Sequence, residues 1–162
     1  TTGVHIGDWS LRLDDATYRA RIAAREFSLD LAFTAHAPPL LQGDRGRSRK
    51  GPRAEQASHY YSQPQLAVGG MLTLDGRMRS VRGTAWLDHE WSDSLLDPQA
   101  VGWDWIGMNL FDGSAMTAFR LRRADGSTLY AGGSWRARDA AERNFAPDEV
   151  RFTPERRWTS AG

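Results

Sequence analysis

Apolar and polar residues alternate with a period of two along much of this chain. In the clearest run the apolar side chains share one face of a strand and the polar ones share the other: Phe27, Leu29, Leu31 and Phe33 against Ser28, Asp30 and Thr34. The same alternation recurs over residues 9–14, 17–22 and 66–74. No segment sustains a helical period. The pattern therefore predicts an all-β domain built from half-buried strands.

Three Asp-Gly pairs stand between strand-like segments, at Asp75-Gly76, Asp112-Gly113 and Asp125-Gly126. Both residue types suit tight hairpin turns that need positive φ. Short strands joined by such turns indicate an antiparallel barrel or a sandwich, because closure or stacking protects the exposed strand edges. Of these two architectures we expect the barrel.

Residues 38–56 interrupt the alternation. This segment is rich in proline, glycine and arginine and contains few apolar residues. It therefore predicts a long, mobile loop, which is either a lid or binding element or simply disordered. Its basic residues between Arg45 and Arg53 are expected to be solvated.

Composition and charge narrow the choice of function. With a formal net charge of +1 over 162 residues, no overall field favours nucleic acid as a partner. The absence of cysteine excludes disulfides, thiolate nucleophiles and zinc-thiolate sites. Seven tryptophans are more than an ordinary core of this size needs, and they are typical of barrels, sandwiches and hydrophobic-ligand sites.

The densest chemistry lies in residues 83–92. In an extended strand, Trp86, Asp88 and Glu90 project to one face, and Leu87, His89 and Trp91 project to the other. His89 beside an apolar wall could activate water or protonate a substrate, or it could be a buried histidine bonded to the backbone. Because Asp88 and Glu90 alternate with His89, no metal site is expected here.

Two further runs carry aromatic and acidic groups. Trp103 and Trp105 share one strand face, and Asp104 lies on the other. A desolvated Asp104 would have a raised pKa and could deliver a proton, or it could bond to a loop backbone while the indoles fill the core. Tyr60 and Tyr61 fall on opposite faces of a strand.

The sequence contains no nucleophile elbow of the α/β-hydrolase type, no phosphate-binding loop, no dinucleotide-binding fingerprint and no zincin motif. We therefore expect no cofactor.

The motifs in these runs resemble the family of carotenoid 1,2-hydratase and the AttH-type predicted secreted hydrolases, with AttH the closer branch. They are Leu41-Gln42-Gly43-Asp44, Tyr60-Tyr61-Ser62 with Pro64, Ala85 to Ser92, and Gly102-Trp103-Asp104-Trp105. The resemblance implies a lipocalin-like, calycin-type barrel or strongly curved sheet from a protein made of two barrels. Residues 1–137 would form most of the first barrel without its N-terminal strands. Residues 138–162 would be a C-terminal extension or the start of a linker to the second barrel.

The resemblance also implies a chemistry. The carotenoid enzymes add water to an isolated double bond of a long apolar polyene, and the motif match marks His89 and Trp91 as functional. Asp104 and then Asp88 are the candidate proton donors. Substrate contacts would come from the aromatic residues of the same motifs: Trp86, Trp91, Trp103, Trp105, Tyr60 and Tyr61.

Three functions remain open at this point, and the last of them is a structural or interaction module of an exported or transporter-linked assembly. The first is cofactor-independent hydration or hydrolysis of a lipid- or isoprenoid-like substrate, and the alternative is a non-catalytic carrier of a hydrophobic ligand in the cell envelope. An acid and His89 lining one cavity would favour the enzyme, whereas an all-apolar cavity would favour the carrier. By resemblance, we expect a second lipocalin-like domain, association with a membrane or transporter, and a bacterial periplasmic or secreted location.

Overall fold

Antiparallel strands account for nearly all regular structure in the computed structural model, which describes residues 2–93, 96–156 and 158–160. The strands within these ranges are β1 (Gly3–Ile6), β2 (Trp9–Asp14), β3 (Thr17–Ala23), β4 (Phe27–Thr34), β5 (Leu40–Leu41), β6 (Arg47–Arg49), β7 (Ala57–Leu74), β8 (Arg77–Trp91), β9 (Gly102–Asn109), β10 (Ala115–Arg122), β11 (Thr128–Arg136) and β12 (Glu142–Phe145). A 3₁₀ turn covers Pro147–Glu149. No helix in the described ranges has the length and apolar character needed to cross a bilayer.

The strands form two sheets. The larger sheet has the order β1-β2-β3-β4-β7, and β5, β6 and β8 also pair with β7. It curls strongly into a half-barrel with the lipocalin-like fold, and no strand pairing in the described ranges closes it. The smaller sheet has the order β9-β10-β11-β12. The all-β, strongly curved architecture expected from the sequence is therefore confirmed.

The larger sheet keeps its predicted apolar face. In the β3–β4 register, Tyr18 lies opposite Phe33 and Ala20 lies opposite Leu31, so their side chains share that face. Gly70 of β7 pairs with Leu31. Its φ of 150° and its close approach to Asp30, whose carbonyl oxygen would lie 2.2 Å from an added Cβ, leave no room for a side chain. Glycine is thus required where β7 packs tightly against β4.

All three Asp-Gly pairs lie at hairpin turns, as predicted. Asp75 and Gly76 join β7 to β8 with φ values of 50° and 73°. Asp112 and Asp125 act differently, because their Oδ1 atoms accept the backbone N–H of the serine two residues later at 2.9 and 2.8 Å. These two aspartates therefore stabilise their hairpins through side-chain hydrogen bonds.

The prediction of a mobile loop over residues 38–56 is wrong. Within this segment β5 and β6 pair with β7, and Leu40, Gln42 and Ser48 are buried. The polar backbone and side chains are satisfied by pairing with a strand that follows later in the chain, which local composition does not reveal. The segment is part of the sheet.

A β-bulge in β7 changes which residues share a face. Before the bulge, Tyr60 and Ser62 lie opposite Glu90 and Asp88, whereas after it Leu66 lies opposite Ala85. Since directly opposed residues point to the same side, even-numbered residues of β7 move from one face of the sheet to the other. At the open end of the β7–β8 hairpin, away from its turn, one face of the sheet therefore carries carboxylates and hydroxyls. The opposite face continues the apolar face of the larger sheet.

The bulge residue Gln65 connects the two sheets. Its φ is 55°, which is uncommon for a residue with a side chain. Its backbone N–H donates to Asn109 Oδ1 at 2.8 Å, and its Nε2 donates to the carbonyl oxygens of Leu110 and Ser114 at 3.0 and 2.9 Å. These bonds fix the β9–β10 hairpin against β7.

The smaller sheet directs one face of β10 toward the larger sheet. Along β10 the buried residues alternate with partly exposed ones, and the buried set is Ala115, Thr117, Phe119 and Leu121. Strand β12 pairs with β11 through residues 142–145, so the sheet extends beyond position 137, where we expected the barrel to end. The space between the two sheets holds the candidate site.

Candidate functional site

A cavity of about 370 Å³ lies where the first residues of β7 and the last residues of β8 face the smaller sheet. Its walls are mostly aromatic and aliphatic, with a few polar and charged groups among them. The lining residues are Lys50, Gln56, Ala57, Ser58, Tyr60, Glu90, Trp91, Ser92, Leu96, Trp103, Trp105, Phe119 and Leu121. An apolar enclosure with a few convergent polar groups is typical of small-molecule sites.

Lys50 is the most unusual residue of this cavity. Its side chain is only 16% exposed, and its Nζ lies 3.0 Å from Glu90 Oε1. The same nitrogen lies 4.6 Å from the ring centroid of Tyr60 and 4.3 Å from that of Phe119. The expectation that the basic residues of segment 45–53 are solvated is therefore wrong for Lys50, because the pairing of β6 with β7 brings it under the smaller sheet.

Burial lowers the pKa of Lys50, since removal from water disfavours the ammonium form. The carboxylates of Glu90 and Asp88 act in the opposite direction and favour the charged form, but they do not cancel the effect of burial. The amine therefore loses its proton more readily than an exposed lysine does. A lysine in such surroundings can act as an acid, a base or a nucleophile.

Glu90 accepts hydrogen bonds from its neighbours in the cavity wall. Its Oε1 contacts Lys50 Nζ and also accepts a short hydrogen bond from Ser58 Oγ. The side chain is 40% exposed, so the carboxylate can reach a molecule in the cavity. The sequence placed Glu90 on the same strand face as Asp88, but it was not selected as a site residue.

Of the predicted residues, Tyr60 lines the cavity beside this pair, and Asp88 lies behind it, bonded to the Tyr60 hydroxyl. Asp88 Oδ1 accepts hydrogen bonds from Tyr60 OH at 2.9 Å, Ser62 Oγ at 2.6 Å and Trp86 Nε1 at 2.9 Å. Trp105 Nε1 donates to Tyr60 OH at 3.2 Å. Burial, followed by the charge of Asp88, raises the pKa of Tyr60 well above its ordinary value. Tyr60 is therefore a protonated, firmly oriented hydrogen-bond donor at neutral pH.

A buried polar network continues from Asp88 across the interior. Ser62 Oγ accepts a hydrogen bond from Gln42 Nε2 at 3.0 Å. Gln42 Oε1 in turn accepts from Thr117 Oγ1 at 2.9 Å and from Ser134 Oγ at 2.6 Å. Gln42, within the Leu41–Asp44 motif, thus links the larger sheet to the smaller one. Through Ser62 it also helps to fix the position of Asp88.

The predicted tryptophans divide between the cavity and its surroundings. Trp91, Trp103 and Trp105 line the cavity, whereas Trp86 is placed beside it through its bond to Asp88. The ring of Trp105 lies over Gly107, where an added Cβ would be 2.5 Å from the indole. Glycine at this position therefore gives Trp105 the space to reach Tyr60.

His89 points to the opposite face of β8, as alternation required. It forms a hydrogen bond between Nδ1 and Tyr61 OH at 3.0 Å, and its ring lies 5.0 Å from that of Trp91. Trp91 also stacks on His59 at 5.3 Å. The prediction that His89 and Trp91 share a pocket with Trp103 or Trp105 is right for Trp91, but His89 is not among the described residues that line the cavity.

Tyr61 and His89 lie toward the apolar face of the larger sheet. Tyr18 is nearby, and burial together with the neighbouring Tyr61 raises its pKa to about 12. This face thus carries a histidine–tyrosine pair beside apolar side chains. It is a second arrangement of chemically useful groups, separated from the cavity by the thickness of the sheet.

Asp104 lies on the outer face of the smaller sheet, away from the cavity. Its two carboxylate oxygens contact Arg120 Nε at 2.5 Å and Arg122 Nε at 3.2 Å. The Arg120 guanidinium in turn lies 5.7 Å from the ring of Phe152 in the C-terminal segment. Asp104 thus bonds to guanidinium groups rather than to a loop backbone. It does not face Trp103 and Trp105, although they are its neighbours in sequence.

The described residues contain no group of three or more histidine, aspartate or glutamate side chains placed to hold a metal ion. Lys50, Glu90 and Tyr60 are the titratable side chains among the described residues that line the cavity. Lys50 was missed because its sequence neighbours are solvated-looking arginines. The sequence did contain one sign that this residue is special, because Lys50 is the single lysine among its 21 lysine and arginine residues.

Comparisons with known proteins agree with this fold. The chain is 48% identical in sequence to an AttH-type protein from Nitrosomonas europaea. The crystal structure of that protein superposes on it with a TM-score of 0.94, over 99% of this chain and 50% of the other. It also superposes on kievitone hydratase from Nectria haematococca with a TM-score of 0.70 at 14% identity, over 87% of this chain and 44% of that one. The second likeness shows the fold alone.

The chain spans about half the length of both solved structures. No protein of curated function matches it significantly in sequence. The model of the AttH-like family matches residues 1–162. The chain therefore belongs to the AttH-like family.

Proposed function

We propose that this protein catalyses cofactor-independent addition of water to, or its removal from, a hydrophobic substrate held in the cavity between the two sheets. The observation that carries the proposal is the Lys50–Glu90 pair, which faces a space whose other walls are mostly aromatic and aliphatic. Such a cavity places an acid and a base beside a largely apolar binding surface. The hydratase-type chemistry implied by the family resemblance fits this arrangement.

The pair supplies both proton transfers of a hydration. The Lys50 ammonium gives a proton to one carbon of a double bond, while the Glu90 carboxylate takes a proton from a water molecule. The water oxygen bonds to the second carbon as its proton leaves. Glu90 then returns the proton to Lys50 across their 3.0 Å contact, which restores the starting state. The reverse sequence removes water from an alcohol.

The aromatic walls assist this reaction by stabilising positive charge on carbon. Trp103 and Trp105 both border the cavity, and an aromatic face within reach of a cation contributes about 0.5–2 kcal/mol. That contribution is small beside a typical enzymatic barrier reduction. Most of the acceleration would come from the positioned acid and base.

The experiment uses the full-length protein, because the chain spans half of its solved relative. Candidate isoprenoid alkenes are incubated with protein in water enriched in oxygen-18, and the labelled alcohol is measured by mass spectrometry. We expect Glu90→Gln to lower turnover by about 10²-fold or more, the usual contribution of an acid–base group. Glu26→Gln, at an exposed glutamate paired with Arg25, is the matched control and should retain activity. Full turnover by Glu90→Gln would overturn the assignment of this cavity.

The histidine–tyrosine pair on the opposite face is a second candidate site for the same reaction. It is favoured by the 3.0 Å bond between His89 and Tyr61 and by the family resemblance, which implies a functional histidine at this position. His89→Ala and Glu90→Gln alter adjacent residues on opposite faces of β8. Loss of turnover in His89→Ala with full turnover in Glu90→Gln would assign the reaction to the apolar face of the larger sheet.

A carrier function is the alternative, and the half-exposed apolar face of the larger sheet favours it. A carrier would bind an apolar ligand with measurable affinity and release it unchanged. Tryptophan fluorescence titration followed by extraction and mass spectrometry separates the two outcomes. Together with either function we propose a second lipocalin-like domain as partner and a bacterial periplasmic or secreted location, in association with a membrane or transporter.

A further inference from the structure

We propose that Lys50 is a nucleophilic amine that forms an imine with the carbonyl group of an aldehyde or ketone bound in the cavity. This inference deepens the proposed function and rests on its assignment of the cavity. It names the substrates as α,β-unsaturated carbonyl compounds, for which Lys50 acts as a nucleophile in place of a proton donor and Glu90 carries the proton transfers. It rests on three features of the molecule: the composition of the chain, the place of Lys50 in the cavity and its contact with Glu90.

The composition is unusual in its basic residues. Lysine and arginine together number 21, and Lys50 is the only lysine among them. Where this chain needs a partner for a carboxylate elsewhere, it uses arginine, as at Asp104 with Arg120 and Arg122. Arginine stays protonated in proteins, whereas lysine can release its proton and act as a nucleophile. A lysine at position 50 therefore provides a property that arginine would not.

The position of Lys50 gives its amine access to a bound molecule. Nζ lies at the wall of the cavity, with the rings of Tyr60 and Phe119 within 5 Å. Burial beside these rings removes water from the amine and favours its neutral form, which is how an apolar environment activates a lysine nucleophile, while the ring faces themselves attract the ammonium. The lowered pKa agrees with this role. The remaining wall is broad and aromatic, with Trp103 and Trp105 on the smaller sheet.

Glu90 supplies the proton transfers that imine formation requires. Its carboxylate first takes a proton from the Lys50 ammonium across 3.0 Å, which leaves a neutral amine and a carboxylic acid. The amine nitrogen bonds to the carbonyl carbon, and one of its protons passes to the carbonyl oxygen to give a carbinolamine. Glu90 then protonates the hydroxyl group, which leaves as water. The product is a protonated imine beside the Glu90 carboxylate, so charge and atoms balance.

The protonated imine explains why this site would select unsaturated carbonyl compounds. Its positive nitrogen withdraws electrons along a conjugated double bond and makes the β carbon electrophilic. Glu90 can take a proton from water as the water oxygen bonds to that carbon, and it can then deliver the proton to the α carbon. Hydrolysis of the imine releases a β-hydroxy carbonyl product and the free lysine. The aromatic walls favour substrates with a flat, conjugated skeleton.

Reductive trapping tests the proposal directly. The full-length protein is incubated with cinnamaldehyde and sodium cyanoborohydride, and adducts are located by peptide mapping and mass spectrometry. We expect a rapidly formed adduct at Lys50. Lys50→Arg keeps the positive charge but cannot form an imine, so the adduct at this position should disappear while circular dichroism stays unchanged.

An internal reference separates a reactive lysine from an ordinary one. Arg25→Lys places a lysine at a position whose side chain is 92% exposed, within the same protein. Because a lowered pKa leaves more neutral amine at pH 7, Lys50 should be trapped measurably faster than Lys at that exposed position. Glu90→Gln also leaves more neutral amine, but it removes the acid that protonates the carbinolamine hydroxyl, so it should slow trapping of Lys50 and leave the exposed position unaffected. Trapping of Lys50 no faster than the exposed position, or no adduct at Lys50, would overturn the proposal.

The outcomes distinguish this inference from the proposed function. A trapped adduct at Lys50 without any oxygen-18 hydration would retain the imine site and refute the hydratase. Hydration of an alkene without trapping at Lys50 would retain the hydratase and refute the imine. If Lys50→Arg fails to fold, Trp103→Ala, at a mostly exposed wall residue, provides the second variant. It should reduce trapping at Lys50 by weakening the aromatic wall, and unchanged trapping would contradict the role of the cavity.

Discussion

The backbone N–H of Gln65 donates a hydrogen bond to Asn109 Oδ1 at 2.8 Å. Asn109 Nδ2 donates in turn to the carbonyl oxygen of Ala85 at 3.0 Å. The Asn109 side chain of the smaller sheet therefore accepts the backbone N–H at the β7 bulge and also donates to the backbone of β8. Because the bulge decides which side of the sheet Tyr60 and Ser62 occupy, Asn109 contributes to placing the site.

Asn109→Ala tests the contribution of these bonds to stability. The substitution leaves the Gln65 N–H and the Ala85 carbonyl without their partner, and an unsatisfied buried polar group costs about 1–3 kcal/mol. We expect a lower midpoint of urea unfolding with an unchanged m-value. Asn144→Ala removes an exposed asparagine that bonds to the Gly43 carbonyl and is the matched control, expected to change stability by less than about 0.5 kcal/mol. Equal midpoints for the two variants would contradict the role of Asn109.

Gln42→Leu tests the polar network that joins the sheets. Gln42 is 2% exposed and bonds to Ser62, Thr117 and Ser134, all of which are buried. Leucine fills the space but removes the acceptor shared by the Thr117 and Ser134 hydroxyls and the donor to Ser62, so we expect a loss of about 1–3 kcal/mol in the free energy of unfolding. The control is Gln99→Leu at an exposed glutamine that accepts from Arg123. A Gln42→Leu protein as stable as the control would show that the network is energetically neutral.

Gly107→Ala tests the position of Trp105. An added Cβ would lie 2.5 Å from the Trp105 ring and 3.1 Å from the Trp86 ring, so Trp105 must move and lose its bond to Tyr60. Overpacking of this kind costs about 1–3 kcal/mol. We expect a changed tryptophan emission spectrum and weaker binding of an aromatic probe in the cavity. Gly69→Ala, where no atom lies within 4 Å of the added Cβ, should show neither change. Identical spectra for Gly107→Ala and the parent protein would argue against the packing described.

Alkaline pH should destabilise the protein through its buried tyrosines. Folding raises the pKa of Tyr18 from 10.0 to about 12, and it raises the pKa of Tyr60 and Tyr130 as well. A raised folded-state pKa stabilises the fold fully below the unfolded value and is lost as pH rises through the folded value. Stability should therefore fall between pH 10 and about 12, by up to about 1.4 kcal/mol per pH unit for each tyrosine.

The titration of Lys50 changes the free energy of unfolding with pH in the opposite direction. Its pKa is lowered on folding, so its stabilising contribution is present above the unfolded value of 10.5 and is lost as pH falls toward neutrality. Chemical denaturation from pH 9 to 12 measures the sum, and Tyr18→Phe should flatten the alkaline decline. If Tyr18→Phe declines as steeply as the parent protein, Tyr18 is not a source of the effect.

The sequence by itself determined the strands and most of their turns. Period-two alternation over residues 27–34 produced β4, and each Asp-Gly pair lies in a hairpin turn, because side-chain alternation and turn geometry depend on neighbouring residues only. Alternation also separated His89 from Asp88 and Glu90 correctly. These properties are local, so one chain without any alignment was enough to predict them.

The tertiary structure alone decided which groups meet. Alternation already placed Asp104 and Trp103 on opposite faces of β9, but only the packing of the two sheets decides that Trp103 reaches the cavity and that Asp104 reaches two arginines. Lys50 and Glu90 are distant in sequence, and they meet because β6 and β8 both pair with β7. A one-residue shift at the β7 bulge reverses the face of each side chain that follows, and the hydrogen bonds that hold this shift come from the smaller sheet. Such contacts depend on strand pairing between distant segments, which local alternation does not encode.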